Sequence, residues 1–475
     1  MTRTFALLVA ALCWCHIAGA DPAPQDPPPV SEIADGREIR EIRVRLDEQQ
    51  RQLAEQQRQL ALQAAEIDRL RSVQDATRSL PLLFRTGGLA VQLSGFLQAD
   101  VVAYHAASVD ELNPASGEPL NETRFLLSRA RLRLDVEYRW ISGSLEIDGN
   151  TVHGATVRIL NGDVSARWAA PGAEVPYLMA SIGLLRIPFG WEVQERDFVR
   201  LFLERSNVIR AFFPGEFDLG ARLQGGWRFF RYQIAAMNGQ PVGARQFAAR
   251  DPTRSKDLVG RLGVEARFTP RCTLAIGLSG LYGQGFHSGT PATKNTLVWS
   301  DANFDGQVEP TELVGVAGLP ATPSRSFSRY AFGGDLRLAA ELPRLGELVI
   351  YGEALVARNR DRGLAMADPV SAGRALRELG WYLGVTQALT RWAAIGVRYD
   401  QYNPDLDSTD RSGARIVPRD KRYTTLAIAV AAVYAPYARL VVEYDRHTNA
   451  LGRAASGAPA TLGANVLTIR AQVTY

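Results

Sequence analysis

The stretch TRFLLSRARLRLDVEYRW, residues 123–140, decides the fold. From Leu127 onward charged and apolar residues alternate, so each kind occupies its own face. The charged face holds Arg129, Arg131, Arg133, Asp135 and Glu137, and the apolar face holds Ala130, Leu132, Leu134, Val136 and Tyr138. This period of two predicts a β-strand. One strand fits either a soluble sheet with a buried apolar face or a membrane barrel whose apolar face meets lipid and whose charged face lines a wet lumen.

Both ends of the chain favour the barrel. A basic residue, an apolar run and three small residues make residues 1–20 typical of a cleaved secretory signal. Cys272 is then the one cysteine that remains, so a scaffold held by intramolecular disulfides is excluded. Residues 465–475 alternate again and end on Tyr475. An amphipathic final strand suits a closed barrel, which must pair its last strand with its first.

Composition excludes two classes of protein. After the signal, no apolar run reaches the roughly 20 residues of a transmembrane helix, so a helical membrane protein is excluded. The chain has 54 basic and 50 acidic residues, and a net charge of +4 is too small to indicate nucleic-acid binding. Nearly all the basic residues are arginines, which fits a GC-rich genome. Arginine also suits an anion path, because the guanidinium group stays charged and presents a planar fork.

The segment ahead of the barrel divides into three parts. Residues 21–36 are a Pro-rich spacer. Residues 37–75 predict a coiled coil, because an apolar residue recurs every seven positions. The second core position of the heptad is mostly glutamine. The apolar positions are Ile39, Leu46, Leu53, Leu60 and Ile67. The alternative is a solvated charged helix. Residues 76–87 form a linker to the barrel, which takes up residues 88–475.

Sixteen strands can be placed in residues 88–475, joined by alternately short and long connections. An even number fits a barrel with both termini in the periplasm, and sixteen strands leave an aqueous lumen. The sequence therefore predicts an all-β transmembrane fold: a 16-stranded antiparallel outer-membrane β-barrel with an N-terminal periplasmic α-helical coiled coil. Its expected place is the outer membrane of a Gram-negative bacterium, with outer-membrane lipid and lipopolysaccharide as partners.

The connection between the fifth and sixth strands, residues 188–218, is unusually apolar and aromatic. It reads PFGWEVQERDFVRLFLERSNVIRAFFPGEFD. Such a segment is poorly suited to solvent, so we expect it to fold into the barrel and narrow the lumen. Its basic residues are Arg196, Arg200, Arg205 and Arg210. Each of them either lines the pore or pairs with an acid of the same segment, and the sequence leaves this open. Together with Arg129, Arg131 and Arg133 they form the candidate anion path.

Three segments resemble the phosphate-selective porin O and P family: SRARLRLDVEYRW, GLLRIPFGWEVQERDFVRLFLERSNVIRAFFPGEFDLGARLQGG and YQIAAMNGQ. The resemblance runs from about residue 88 to the end. It implies a homotrimeric, sixteen-stranded outer-membrane channel for small anions, phosphate and polyphosphate among them. The family commonly has paired arginines before an Ala-Arg-Leu step; Arg129 and Arg131 match, but Ser128 replaces the other arginine. The scarcity of lysine also departs from the phosphate channels, so the resemblance implies anion passage more strongly than phosphate specificity.

The segment DANFDGQVEPTE, residues 301–312, matches the template of a calcium-binding loop. Gly306 allows the sharp turn, and oxygen ligands fall at the spacing that seven-coordination requires. The expected ligands are Asp301, Asn303, Asp305, the carbonyl of Gln307, Glu309 and Glu312. The alternative is an acidic surface loop with a chance Asp-Gly turn. Strand parity places the loop outside the cell, where Ca²⁺ would have a structural role.

No catalytic constellation is visible in the sequence. The histidines are scattered, no serine sits in a nucleophile elbow, and no glycine-rich fingerprint would cradle a phosphate. We therefore expect no enzymatic activity. The leading hypothesis is an outer-membrane porin for passive diffusion of small anions. The alternative is a structural outer-membrane anchor that uses the coiled coil as a tether.

Overall fold

The computed structural model describes residues 82–104, 123–152, 154–170, 173, 175–244, 250–300, 306–412, 415–435, 437–449, 452–453, 459–460 and 465–475. The predicted signal, spacer and coiled coil lie outside these residues, as does most of the predicted linker. Sixteen long strands of the described part form a closed antiparallel barrel, which confirms the predicted barrel architecture.

The barrel strands follow one another around the wall in chain order. They are β1 (Leu89–Tyr104), β2 (Arg124–Tyr138), β3 (Ile141–Asn150), β4 (Thr156–Trp168), β5 (Leu178–Arg186), β6 (Phe217–Trp227), β7 (Phe230–Met237), β8 (Asp257–Thr269), β9 (Cys272–His287), β10 (Arg325–Leu342), β11 (Gly346–Arg358), β12 (Arg377–Thr390), β13 (Ala393–Asn403), β14 (Tyr423–Ala435), β15 (Ala438–Asn449) and β16 (Val466–Thr474). β1 also pairs with β16, from Phe96 opposite Thr474 to Tyr104 opposite Val466, and this closes the barrel.

A short strand at Leu82–Thr86, within the predicted linker, extends the wall at the start of β1. It forms a hairpin with β1, in which Leu82 lies opposite Leu93. The pairing of β16 with β1 begins at Phe96, so the short strand covers the edge of β1 that β16 leaves free. Backbone donors and acceptors along this edge are thereby paired within the protein.

Predicted and observed strand boundaries differ most at β9 and β10. The sequence predicts that β9 ends near residue 282 and that β10 begins near residue 329, but the strands pair out to His287 opposite Arg325. The extra residues, GQGFH and RSFS, are rich in glycine and serine and lack a clear alternation. The backbone pairing of the two strands therefore continues beyond the predicted ends.

The two faces of the wall are inverted relative to a soluble sheet. On β2, Leu132 and Leu134 are 42% and 37% exposed, whereas Arg131, which precedes Leu132, is 5% exposed. The apolar face therefore points outward and the charged face into the lumen. A bulge at Ser128 interrupts the pairing, since Gln98 lies opposite Arg129 and Ala99 opposite Leu127. Such a bulge puts two successive residues on one side of a strand.

Helix is scarce in the described part of the chain. It contains α1 (Asn207–Phe212) and a single 3₁₀ turn at Pro310–Glu312. Neither is long and apolar enough to cross a membrane.

Candidate functional site

The connection between β5 and β6 lies inside the barrel, and its apolar residues form a core with the wall. Phe189, Val208, Ile209 and Phe212 are each 0% exposed. The wall supplies inward-facing apolar side chains from β7 to β13, namely Ala235, Met237, Val259, Leu281, Ala331, Leu355, Ala357, Tyr382 and Tyr402. This side of the lumen is therefore filled, and we call residues 188–216 the constriction loop.

Carboxylates of the wall hold the backbone of the constriction loop. Glu353 on β11 accepts hydrogen bonds from the backbone N–H groups of Trp191, at 2.8 Å, and Glu192. Glu443 on β15 accepts one from the N–H of Leu203 at 2.7 Å. The loop is thus fastened to two distant strands of the wall.

Asp197 is the charged centre of the constriction loop. Its side chain is fully buried and lies 2.6 Å from Nη2 of Arg131, 3.0 Å from Nη2 of Arg205 and 3.7 Å from Nε of Arg129. Arg200 also pairs with it. Burial alone would raise the pKa of Asp197, but these guanidinium groups hold it well below its ordinary value. Two of the arginines come from β2 and two from the loop, so Asp197 joins the loop to the wall.

The arginine row of β2 is neutralised by nearby carboxylates. Besides Asp197, Arg131 approaches Glu146 at 3.5 Å and Asp148 at 3.4 Å, both on β3. Arg133 pairs with Asp135 at 2.7 Å and with Glu146 at 3.2 Å. The row faces the lumen, but its charges are shared with acids of the same wall.

Arg129 also contacts Glu204, a second carboxylate of the constriction loop that follows Asp197 in the chain. Its Nη2 lies 3.4 Å from Glu204, and Arg470 on β16 lies 3.5 Å from the same carboxylate. The Glu204 side chain is 51% open to the lumen although the wall surrounds it. Enclosure raises its pKa, but Arg129 and then Arg470 outweigh this and bring the pKa of Glu204 to about 2.

The four arginines of the constriction loop fall into two groups. Arg200 and Arg205 are 5% and 8% exposed and pair with Asp197, and Arg205 also pairs with Glu216. Burial lowers the pKa of Arg205 to about 9. Arg196 is exposed and Arg210 half-buried, and no carboxylate of a described residue lies within 4.0 Å of either. The first two arginines hold the loop, and the other two keep uncancelled charges.

A cavity of about 690 Å³ lies between the constriction loop, strands β1 to β6 and the end of β16. Glu137 and Ser142 line this cavity and flank the short turn between β2 and β3. The cavity therefore extends toward the end of the barrel that carries the short turns. Its charged lining consists of five arginines and five carboxylates: Arg131, Arg133, Arg186, Arg196, Arg222, Asp135, Glu137, Glu146, Asp163 and Asp197.

Three of the arginines in the cavity lining have no carboxylate partner among the described residues. Arg186 donates from Nη1 to the carbonyls of Val193, at 2.9 Å, and Glu195, at 3.0 Å. Arg222 donates from Nη1 to the carbonyl of Arg186 at 3.0 Å. These partners are neutral, so they do not cancel the charges. Arg196 on the loop is the third.

Two carboxylates of the lining likewise lack an arginine within ion-pair distance in the described part of the chain. Asp163 accepts hydrogen bonds from Asn161 at 3.1 Å and Ser165 at 2.7 Å. Glu137 is exposed near the short turn. Three arginines and two carboxylates of the lining therefore make no ion pair with a described residue, although the lining as a whole holds equal numbers of arginines and carboxylates.

Sequence reasoning missed Arg186 and Arg222 as lining residues. Arg222 lies on β6 between the outward-facing Ala221 and Leu223, which is the same period-two signal that identified the row on β2. Arg186 ends β5, where the chain turns into the lumen, and no periodicity marks such a position.

The predicted calcium loop lies partly outside the described residues, which omit Asp301, Asn303 and Asp305. Two short strands, Thr296–Trp299 and Leu313–Val316, form a hairpin around it. Gly306 has a φ of 71°, the left-handed conformation that the template requires at this position. Glu312 is 6% exposed and accepts a hydrogen bond from Trp299 at 2.9 Å. The described residues alone contain no group of three metal-ligating side chains, so the calcium site stays a prediction.

Comparison with solved structures identifies similar barrels. The outer membrane channel DcaP of Acinetobacter baumannii matches with a TM-score of 0.53 and 10% identity, over 82% of this chain and 99% of that one. OprB of Pseudomonas putida matches with a TM-score of 0.51 and 10% identity, over 81% of this chain and 94% of that one. No protein-family model and no curated protein sequence matches this chain. These likenesses establish the barrel fold, and not what passes through it.

Proposed function

We propose that this chain is an outer-membrane porin through which small anions diffuse passively. Its outer wall supports the membrane location, because side chains such as Leu258, Leu262 and Leu278 are 59%, 51% and 69% exposed. Monomeric soluble proteins rarely expose such a continuous apolar surface. A closed barrel pairs its own backbone groups and can therefore cross lipid. The fold of the outer membrane channel DcaP is consistent with this location.

The uncancelled arginines of the cavity carry the proposed anion preference. Arg196 is exposed on the constriction loop, and Arg186 and Arg222 flank the cavity on the neighbouring wall. Guanidinium groups are weakly hydrated and offer several donors to an anion. Since charges in a wet lumen are screened over about 8 Å at physiological salt, the preference is modest and falls as salt rises.

The arginine row of β2 has a positioning role in this proposal. Arg129 and Arg131 hold Asp197 and with it the constriction loop. Arg133 lines the cavity but shares its charge with Asp135 and Glu146. The row therefore sets the width of the passage, and the uncancelled arginines set its preference for anions.

Chloride should pass more readily than doubly charged phosphate. The lining carboxylates are as numerous as the arginines, so a doubly charged anion meets no net attraction that would offset its stronger hydration. A porin selective for phosphate would need these charges to be cancelled. We therefore propose a general small-anion path rather than a phosphate-specific one.

Planar-bilayer recording tests this function. The full chain should give discrete conductance steps and a reversal potential on the anion-selective side. The double variant Arg196→Gln with Arg222→Gln should move the reversal potential toward zero, whereas Arg254→Gln, an exposed arginine of a long loop, should leave it unchanged. An unchanged reversal potential in the double variant would refute the proposed path. No conductance steps from the unmodified chain would support the structural-anchor alternative.

A further inference from the structure

Four short turns at one end of the barrel carry the same pair of residues, an arginine followed by a large apolar residue. The pairs are Arg139–Trp140, Arg228–Phe229, Arg344–Leu345 and Arg391–Trp392. The apolar member of each pair is 49% to 59% exposed. We call the four arginines the arginine collar.

Turn geometry does not explain the arginines of the collar. Arg139, Arg228 and Arg344 have φ angles of 54°, 53° and 78°. This left-handed region is strained for a residue with a side chain, and glycine or asparagine is the ordinary choice in such turns. The turns therefore keep arginine at positions where another residue would fold with less strain.

The collar charges are not used within the described part of the protein. No carboxylate of a described residue lies within 4.0 Å of any collar arginine, in contrast to Arg131 and Arg205 in the lumen. Three of the guanidinium groups instead lie over a neighbouring ring: Arg139 over Tyr138 at 5.3 Å, Arg228 over Trp227 at 4.9 Å and Arg391 over Trp392 at 4.7 Å. Such stacking leaves the N–H groups at the edge of the guanidinium plane available for an anion.

We propose that the arginine collar binds the phosphate groups of anionic phospholipids in the leaflet that meets the short turns. Exposed aromatic rings settle at the boundary between acyl chains and headgroups. An arginine beside such a ring reaches the headgroup layer, and its fork matches a phosphate. This inference rests on the proposed function in one respect, namely that the barrel lies in a membrane.

The spacing of the collar favours lipid over free phosphate as the partner. Successive collar turns are two, four or six strands apart around the wall. At about 4.8 Å per strand this is a separation of about 10 to 30 Å, so two collar arginines do not converge on one small ion. A lipid leaflet, in contrast, presents a phosphate to each turn around the whole barrel.

Native mass spectrometry of the full chain, titrated with phosphatidylglycerol or phosphatidylcholine, tests the collar. The triple variant Arg139→Gly, Arg228→Gly, Arg344→Gly removes three charges and relieves the positive φ angles, so it should fold at least as well as the unmodified chain. A basic residue near an anionic membrane surface contributes about a fivefold preference. The triple variant should therefore bind phosphatidylglycerol at least about tenfold more weakly.

A matched control removes three exposed arginines at the long-loop end, through Arg254→Gln, Arg325→Gln and Arg415→Gln. It should change phosphatidylglycerol binding by less than about twofold, and excess inorganic phosphate should not displace the lipid. Undiminished binding in the glycine variant, an equal loss in the control, or displacement by phosphate would overturn the proposal.

Conductance separates this inference from the proposed function. The glycine variant should keep the conductance and reversal potential of the unmodified chain, because the collar lies outside the cavity lining. If neither the unmodified chain nor the glycine variant conducts, but the glycine substitutions still weaken lipid binding, the proposed channel function is wrong and the proposed lipid site is supported. The triple variant Arg139→Lys, Arg228→Lys, Arg344→Lys keeps the charges. Its affinity for phosphatidylglycerol should lie within about fivefold of that of the unmodified chain. A loss as large as in the glycine version would count against the collar.

Discussion

Replacing Asp197 by asparagine is the sharpest perturbation of the constriction loop, because it removes one charge and keeps the shape of the side chain. Asp197 lies 2.6 Å from Arg131 and 3.0 Å from Arg205, with no exposed side-chain surface. The two arginines would keep other partners, since Arg131 also approaches Glu146 and Arg205 also pairs with Glu216. The substitution therefore weakens a buried network without leaving these two arginines wholly unpaired.

The expected cost lies in the middle of the range for breaking a buried pair. Removing one partner of a buried ion pair costs about 3 to 5 kcal/mol; Arg131 and Arg205 keep other partners, but buried Arg200 loses its one described carboxylate partner, so we expect about 4 kcal/mol. This corresponds to about a thousandfold shift from the docked toward the undocked constriction loop. The barrel wall should stay intact, because its backbone pairing does not include the loop.

Single-channel recording and limited proteolysis would measure this shift. Asp197→Asn should give noisier open-channel current, faster cleavage within residues 188–216 and a reversal potential further toward the anion-selective side, since the cavity loses a negative charge. Glu195→Gln is the matched control, because it removes a charge from the same loop at a residue with no described arginine within ion-pair distance. Equal current noise, cleavage rate and reversal potential in Asp197→Asn and the unmodified chain would refute the reasoning.

Three further predictions concern pH, calcium and the N-terminal segment. Carboxylates with a lowered pKa stabilise the folded state above their ordinary pKa and lose this effect as pH falls. Protease resistance of the constriction loop should therefore decline from about pH 4 toward the pKa of Glu204, about 2; equal resistance at about pH 5 and about pH 2 would contradict this expectation. Chelation of Ca²⁺, or Glu312→Gln, should speed cleavage between residues 287 and 327, and equal cleavage with and without chelator would reduce the motif to an acidic loop. Deleting residues 37–75 should leave a barrel that inserts and conducts in bilayers, whereas loss of all channels would show that the segment is essential.

The barrel was predictable because its cause is local. Alternation along β2, with Leu132 and Leu134 outward and Arg131 and Arg133 inward, is a property of neighbouring residues, and the same pattern recurs in sixteen segments. The short strand at Leu82–Thr86 was not predicted, because its role is to cover an edge whose length depends on where β16 ends.

The ion-pair network of the constriction loop could not be derived from the sequence. The position of Asp197 among Arg129, Arg131, Arg200 and Arg205 depends on how the loop crosses the lumen, and no spacing in the sequence encodes that path. The sequence identified the arginines by type but could not separate those that hold the loop from those that stay uncancelled. That distinction required the three-dimensional arrangement of their carboxylate partners.

The most direct test of the central claim is the reversal potential of the unmodified full chain in a planar bilayer under a potassium chloride gradient. Arg186, Arg196 and Arg222 in the cavity lining make no ion pair with a described carboxylate, so their guanidinium groups are available to a passing anion. We therefore predict discrete conductance steps with a reversal potential displaced modestly toward the Nernst potential of chloride. A reversal potential on the potassium side, or an inserted barrel without conductance steps, would contradict the proposal of a passive anion channel.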